Sequence, residues 1–129
     1  MAKTRVFTSF DYEHDGDLLV MLLGQAKNPD SPFEIADWSL KEPLPGDWKE
    51  KIRPRISAVS QIAVICGHFT VNAAGVAAEV NIARELGKPY FLLGGRATGV
   101  NKKPRTALPS DKVYDWNWRN LKNLIAGLR

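Results

Sequence analysis

A lone carboxylate stands out among the residues able to do chemistry. Glu79 lies in Val76-Ala77-Ala78-Glu79-Val80, an otherwise small and apolar stretch near the start of a helix that follows the apolar run 61–66. In an open α/β sheet, small molecules bind in the crevice outside the carboxyl ends of the central strands, and the helix after the third strand opens onto that crevice. An acid there faces a ligand. Ser9, Phe10 and Asp11 end the first strand-like run, and Gly67, His68 and Phe69 end the third. Both groups are expected to converge with Glu79 on one crevice. Ser9 and Phe10 are read as ligand contacts, although an aromatic at a strand end is also a core residue in waiting. Asp11 either orients a ligand or caps a turn. His68 either touches ligand or is a hydrogen-bonded loop histidine. Trp38 begins a proline-punctuated loop with few places to bury an indole, which makes it the better stacking candidate. The competing reading of Glu79 is a solvent-facing helix glutamate, favoured near a helix N-terminus by the backbone dipole.

Other chemistries lack their residues. Two histidines, His14 and His68, without flanking ligands make no metal site, so no metal is expected. Neither GxGxxG nor GxxxxGK[ST] occurs, and the serine-hydrolase elbow GxSxG is missing. A phosphate-accepting receiver domain needs an aspartate at the end of the third strand, where this chain has Cys66-Gly67. A flavodoxin-type phosphate loop after the first strand is excluded by Asp11, Glu13, Asp15 and Asp17, which repel a phosphate.

The elements that must position these residues alternate. Residues 5–10 are β-branched and aromatic and read as a strand. Residues 17–23 form a helix capped by Asp15 or Asp17 and closed by Gly24 and Asn28-Pro29. Residues 33–37 alternate as a second strand. After the loop 38–46, Asp47 and Glu50 make a capping-box-like pair for a helix carrying Trp48, Ile52, Ile56 and Val59, which Pro54 should kink or split. The run 61–66 is nearly all apolar, as expected of a strand covered on both faces. A third helix carries Val76, Val80 and Ala83 and ends at Gly87. Residues 89–93 and 112–115 supply two more strands, and Trp118, Leu121, Leu124, Ile125 and Leu128 mark an amphipathic closing helix. This alternation predicts an α/β, flavodoxin-like three-layer sandwich with a mainly parallel sheet in the order 2-1-3-4-5.

Length and composition agree. The 129 residues, 44% of them hydrophobic, suit one domain spanning 1–129. A single cysteine, Cys66, excludes an internal disulfide framework and reads as a buried thiol of a cytoplasmic protein. No apolar span approaches the roughly 20 residues that cross a bilayer, so no membrane partner is expected. The net charge of +4 is concentrated after Gly94, where eight basic residues face only Asp111 and Asp115. The stretch 95–110 lacks the interleaved aromatics of a single-strand binder. It is therefore read as a solvated loop or the rim of an anionic-ligand site, and nucleic acid is not the expected partner.

The order and spacing of several motifs resemble Toll/interleukin-receptor (TIR) domains. Val6-Phe7-Thr8-Ser9-Phe10-Asp11-Tyr12 fits the first strand. Asp37-Trp38-Ser39-Leu40, Gly46-Asp47-Trp48, Ile52, Ile56, Ser60 and the run 62–66 look like the block between the second and third strands. Glu79, with Ile82-Ala83-Arg84-Glu85-Leu86-Gly87-Lys88-Pro89 behind it, matches the helix holding the catalytic glutamate of TIR enzymes. The resemblance covers residues 5 to 93 and is closest to the prokaryotic TIR-like group that includes the TIR protein of the Thoeris anti-phage system. It implies cleavage of the nicotinamide–ribose bond of NAD, which is substrate rather than cofactor. The product would be ADP-ribose or a cyclic ADP-ribose-type signal for a nucleotide-sensing effector. Nicotinamide leaves as a neutral pyridine, so one carboxylate suffices where ordinary glycosidases need two. TIR enzymes often carry a tryptophan four residues before the glutamate. That position is Gly75 here, so stacking on nicotinamide falls to Phe10, Trp38 or Phe69. The alternative is a non-catalytic TIR-like adaptor that works by self-association through the loop 38–46 and the third helix.

Overall fold

Every residue of the run Gln61–Cys66 is buried, as a strand covered on both faces must be. The computed structural model describes residues 3–39 and 48–128. Their elements are β1 (Thr4–Ser9), α1 (Gly16–Ala26), β2 (Phe33–Trp38), α2 (Trp48–Ser57), β3 (Gln61–Cys66), a 3-10 turn (Thr70–Asn72), α3 (Ala74–Glu85), β4 (Tyr90–Gly94), β5 (Val113–Asp115) and α4 (Trp118–Ile125). All four strand pairings are parallel and the order is β2-β1-β3-β4-β5. The expected α/β architecture and strand order are what is observed.

Alternation along the strands builds two cores. On one face Val6, Ala63, Ile65 and Leu93 pack with Leu18 and Leu22 of α1 and Leu121 and Leu124 of α4. On the other, Phe7, Ile62, Val64 and Leu92 pack with Ile52 and Ile56 of α2 and Val76 and Val80 of α3. Among the described residues no helix is long and apolar enough to cross a membrane.

Burial overrides several local signals. Pro54 does not split α2, which runs as one helix from Trp48 to Ser57. A proline inside a helix costs about 3 kcal/mol, but the fully buried Ile52 and Ile56 flanking it each contribute roughly 2–3 kcal/mol. Gly24 does not close α1 either. The helix continues to Ala26, where burial of Leu22 and Ala26 outweighs a glycine penalty of about 1 kcal/mol. Gly87, by contrast, ends α3 in the left-handed region at φ 67°, its N–H bonded to the Arg84 carbonyl. Leu128 lies beyond α4 and is exposed. The stretch 95–110 is not merely solvated, because Thr106 donates to the Ala77 carbonyl of α3 at 2.7 Å and Ala107 packs on the α2/α3 core. The cap read at Asp47, the segment 40–46 and the Trp48 side chain lie outside the described residues.

One irregularity bears on the site. Pairing of β1 with β2 slips by one residue: Val6 lies beside Ile35, yet Phe7 lies beside Asp37. The extra residue, Ala36, is a β-bulge, which reverses the side to which every later β2 residue points.

Candidate functional site

The Glu79 side chain leaves the second turn of α3 and ends between the carboxyl ends of β1 and β2. Ser9 Oγ donates to Glu79 Oε1 at 2.7 Å, and Ser39 Oγ donates to the same oxygen at 2.5 Å. The Ser39 hydroxyl in turn accepts from the Phe10 backbone N–H at 3.0 Å, which directs its own proton toward the carboxyl. Both hydroxyls thus converge on Oε1.

The bulge makes this arrangement possible. Beyond Ala36 the pairing runs Phe7 with Asp37 and Thr8 with Trp38, and the Ser39 N–H bonds to the Thr8 carbonyl. Ser39 therefore comes beside Ser9 on the α3 side of the sheet, and Trp38 points to the opposite side. Were Ala36 paired in register with Phe7 instead, Trp38 would stand next to Ser9. Trp38 is half-exposed at the strand end and is not brought to the face that holds Glu79.

Glu79 is 1% exposed. Burial is the main cause that raises its pKa, to about 7, against the lowering effect of the Ser39 and Ser9 hydrogen bonds; the charge of Asp37 adds a smaller upward push. The acid is thus held near half-ionisation at neutral pH. The competing reading of a solvent-facing helix glutamate is corrected: the group is enclosed, and the serine hydroxyls donate to Oε1.

A second group of residues lies where the β1–α1 and β3–α3 connections meet. Asp11 Oδ2 is 2.7 Å from His14 Nδ1, and Asp11 Oδ1 accepts from the Glu13 N–H, so Asp11 organises its own turn. The His14 ring lies over Phe69 with centroids 4.4 Å apart and planes tilted by 30°. His68 Nε2 lies 2.6 Å from the Thr98 carbonyl oxygen. Gly99, at φ 76°, closes on the His68 ring so tightly that a Cβ there would sit 2.6 Å from Nε2. His68 is therefore a latch between two loops. Phe10 is 2% exposed within the α1/α4 core, so its ring has no face for a nucleotide, because burial against Leu18 and its neighbours claims it.

An ion cluster fixes the β1–α1 turn. Arg96 donates to Asp15 Oδ1 at 2.9 Å, to both oxygens of Asp17 at 2.7 and 2.9 Å, and to the His14 carbonyl at 2.8 Å. The Arg96 bonds hold Asp17 below its ordinary range, while burial pushes Asp15 up despite the same guanidinium. Asp15 occupies the N-cap position of α1 without a side-chain capping bond. Its carboxyl instead fills the space beside Gly67, where a Cβ would lie 2.4 Å from Oδ2. Cys66 is buried and its thiol is pushed up to about 12 by burial, which makes it inert.

The sequence-derived site residues thus divide. Ser9 joins Glu79. Asp11 and Phe69 join His14. Phe10 belongs to the core, His68 to a loop latch, and Trp38 to the other side of the sheet. Two residues escaped the sequence reading. Ser39 was hidden by the bulge, which no alternation pattern reveals. The available signal was a second hydroxyl residue at the end of the neighbouring strand. His14 was discounted as lacking metal partners, although Asp11 three residues earlier is a spacing that lets a turn bring the two together. Among the described residues no cluster of three His, Cys, Asp or Glu side chains is arranged to hold a metal ion.

Comparisons with known proteins give a family and a fold. The family described as Thoeris protein ThsB, TIR-like domain, matches residues 7–96. The crystal structure of a prokaryotic SEFIR domain superposes with a TM-score of 0.54 at 17% identity, covering 98% of this chain and 90% of that one. No curated protein matches the sequence.

Proposed function

The chain belongs to the TIR-like domain family of the Thoeris protein ThsB, and we propose that it consumes NAD by breaking the nicotinamide–ribose bond, with Glu79 as the catalytic carboxylate. The observation that carries this reading is a buried carboxyl at the carboxyl edge of the sheet, with two hydroxyls converging on one of its oxygens. A ribose diol offers the same two donors. Substrate entry exchanges serine hydroxyls for ribose hydroxyls on the carboxylate.

As the C1′–nitrogen bond breaks, its electron pair passes to the pyridinium nitrogen, so nicotinamide departs neutral without a general acid. Positive charge develops on the ribose, and an ionised Glu79 in a water-poor site stabilises it far more than in bulk water. Water then adds its oxygen to C1′ and loses a proton to Glu79 or solvent, giving ADP-ribose. Capture by the substrate's own adenine or hydroxyl gives a cyclic product instead, a choice governed by how the bound ligand is folded. Such a product serves as a nucleotide signal to an effector protein in anti-phage defence, with activity raised by self-association of the domain. Chromatography of NAD incubated with concentrated protein tests the reaction. Glu79→Gln is expected to lower nicotinamide release by on the order of 10²–10³-fold. An equally active variant removes Glu79 from the role.

A second reading is favoured by the enclosure of Glu79 and by Gly75: a non-catalytic TIR-like domain in which the carboxyl is structural and assembly is the function. It wins if NAD fails to bind at any protein concentration while substitution of the exposed Trp38 abolishes self-association.

A further inference from the structure

We propose that Phe69, backed by His14, is a stacking shelf for the adenine of the nucleotide substrate, an assignment that rests on the NAD-consuming reading above. β1 leads into α1 on one face of the sheet and β3 leads into α3 on the other, so the gap between their carboxyl ends is the switch point at which open α/β sheets take ligands. His14 comes from the first connection and Phe69 from the second, and their rings meet across that gap at 4.4 Å. Phe69 is 49% exposed, an unusual position for a phenylalanine, and its ring is supported by His14 beneath it.

The support is rigid. Asp11 holds His14 Nδ1 at 2.7 Å, and the β3–α3 turn is closed by the Gly67 N–H on Thr70 Oγ1 at 2.8 Å. Ser9, which bonds Glu79, and Asp11, which holds His14, are two positions apart at the end of one strand. A dinucleotide with its reacting ribose at Glu79 therefore has its other end within reach of the shelf. A flat aromatic surface binds a base through stacking, worth about ten- to hundredfold in affinity. It also keeps adenine apart from the reacting carbon, which favours capture of the ribose by water unless the ligand folds back.

AMP is the probe, because it carries the adenine and lacks the scissile bond. AMP titrated into the intact chain is expected to shift the His14 ring resonances saturably. Phe69→Ala is expected to weaken that binding at least tenfold, and Phe69→Trp to retain it. Unchanged AMP affinity in Phe69→Ala, or no saturable shift of His14 in the parent chain, overturns the shelf even if nicotinamide release is intact and Glu79-dependent. AMP binding that depends on Phe69 supports the shelf. If Glu79→Gln then still cleaves NAD at the parent rate, only the catalytic role of Glu79 falls.

Discussion

Replacing Glu79 by glutamine should change how stability depends on pH, in a direction and by an amount the structure supplies. The carboxyl is held up to about 7 in the folded chain, against an ordinary value of 4.5. Between those two values the unfolded chain releases a proton that the folded chain keeps. Stability therefore falls as pH rises through this window and is level on either side of it. At about 1.4 kcal/mol for each pH unit, the fall is about 3 kcal/mol. Glutamine preserves the shape and an oxygen able to accept from Ser9 and Ser39, and it has no proton to lose. At pH 4.5 the two proteins should agree within about 1 kcal/mol. At pH 8 the variant should be more stable by up to about 3 kcal/mol, less whatever its amide N–H groups lose by finding no acceptor. Urea denaturation at pH 4.5, 6, 7 and 8 measures the difference directly, and the remaining titrating groups, Asp15 included, cancel between the two proteins. Parallel stability curves across that range would refute the reasoning, because they would mean that Glu79 ionises alike in the folded and unfolded chains.

Two further substitutions probe the surroundings of the site. Gly67→Ala puts a methyl 2.4 Å from Asp15 Oδ2, a carboxyl pinned by Arg96, and is expected to cost about 1–3 kcal/mol by thermal denaturation. Adding Asp15→Ala should restore part of the loss, and no restoration would locate the strain elsewhere. Deleting Ala36 removes the bulge but leaves Phe7 beside Asp37 and Thr8 beside Trp38, so Ser39 should stay beside Ser9. The variant is expected to keep the raised carboxyl pKa of Glu79, read by 13C NMR of the labelled carboxyl, and a return to the ordinary carboxylate range would show that the pairing register alone does not position the pair.

The α/β order was legible because it follows from burial alone. Gln61–Cys66 is apolar at nearly every position and could only be central, and the helices between strands impose parallel neighbours. Glu79 stood out in the sequence as the one acid in an apolar stretch of helix. Its environment was not legible, since the polarity pattern of β2 carries no mark of the slip at Ala36 that selects Ser39 over Trp38. Contacts between residues distant in sequence were equally hidden. Arg96 reads as one more basic residue of the stretch after Gly94, yet it clamps Asp15 and Asp17 about 80 positions earlier. Pro54 and Gly24 show the reverse case, local signals that were legible and were outweighed by buried side chains on the same helix.

The proposed catalytic role of Glu79 is tested most directly by the pH dependence of kcat/KM for nicotinamide release from NAD, measured between pH 5.5 and 8.5 on the concentrated chain and on Glu79→Gln. The parent value should climb about tenfold per pH unit at the acid end and level off near pH 7, with the variant low throughout. A parent profile flat across neutrality, or a variant that follows it, would contradict the assignment.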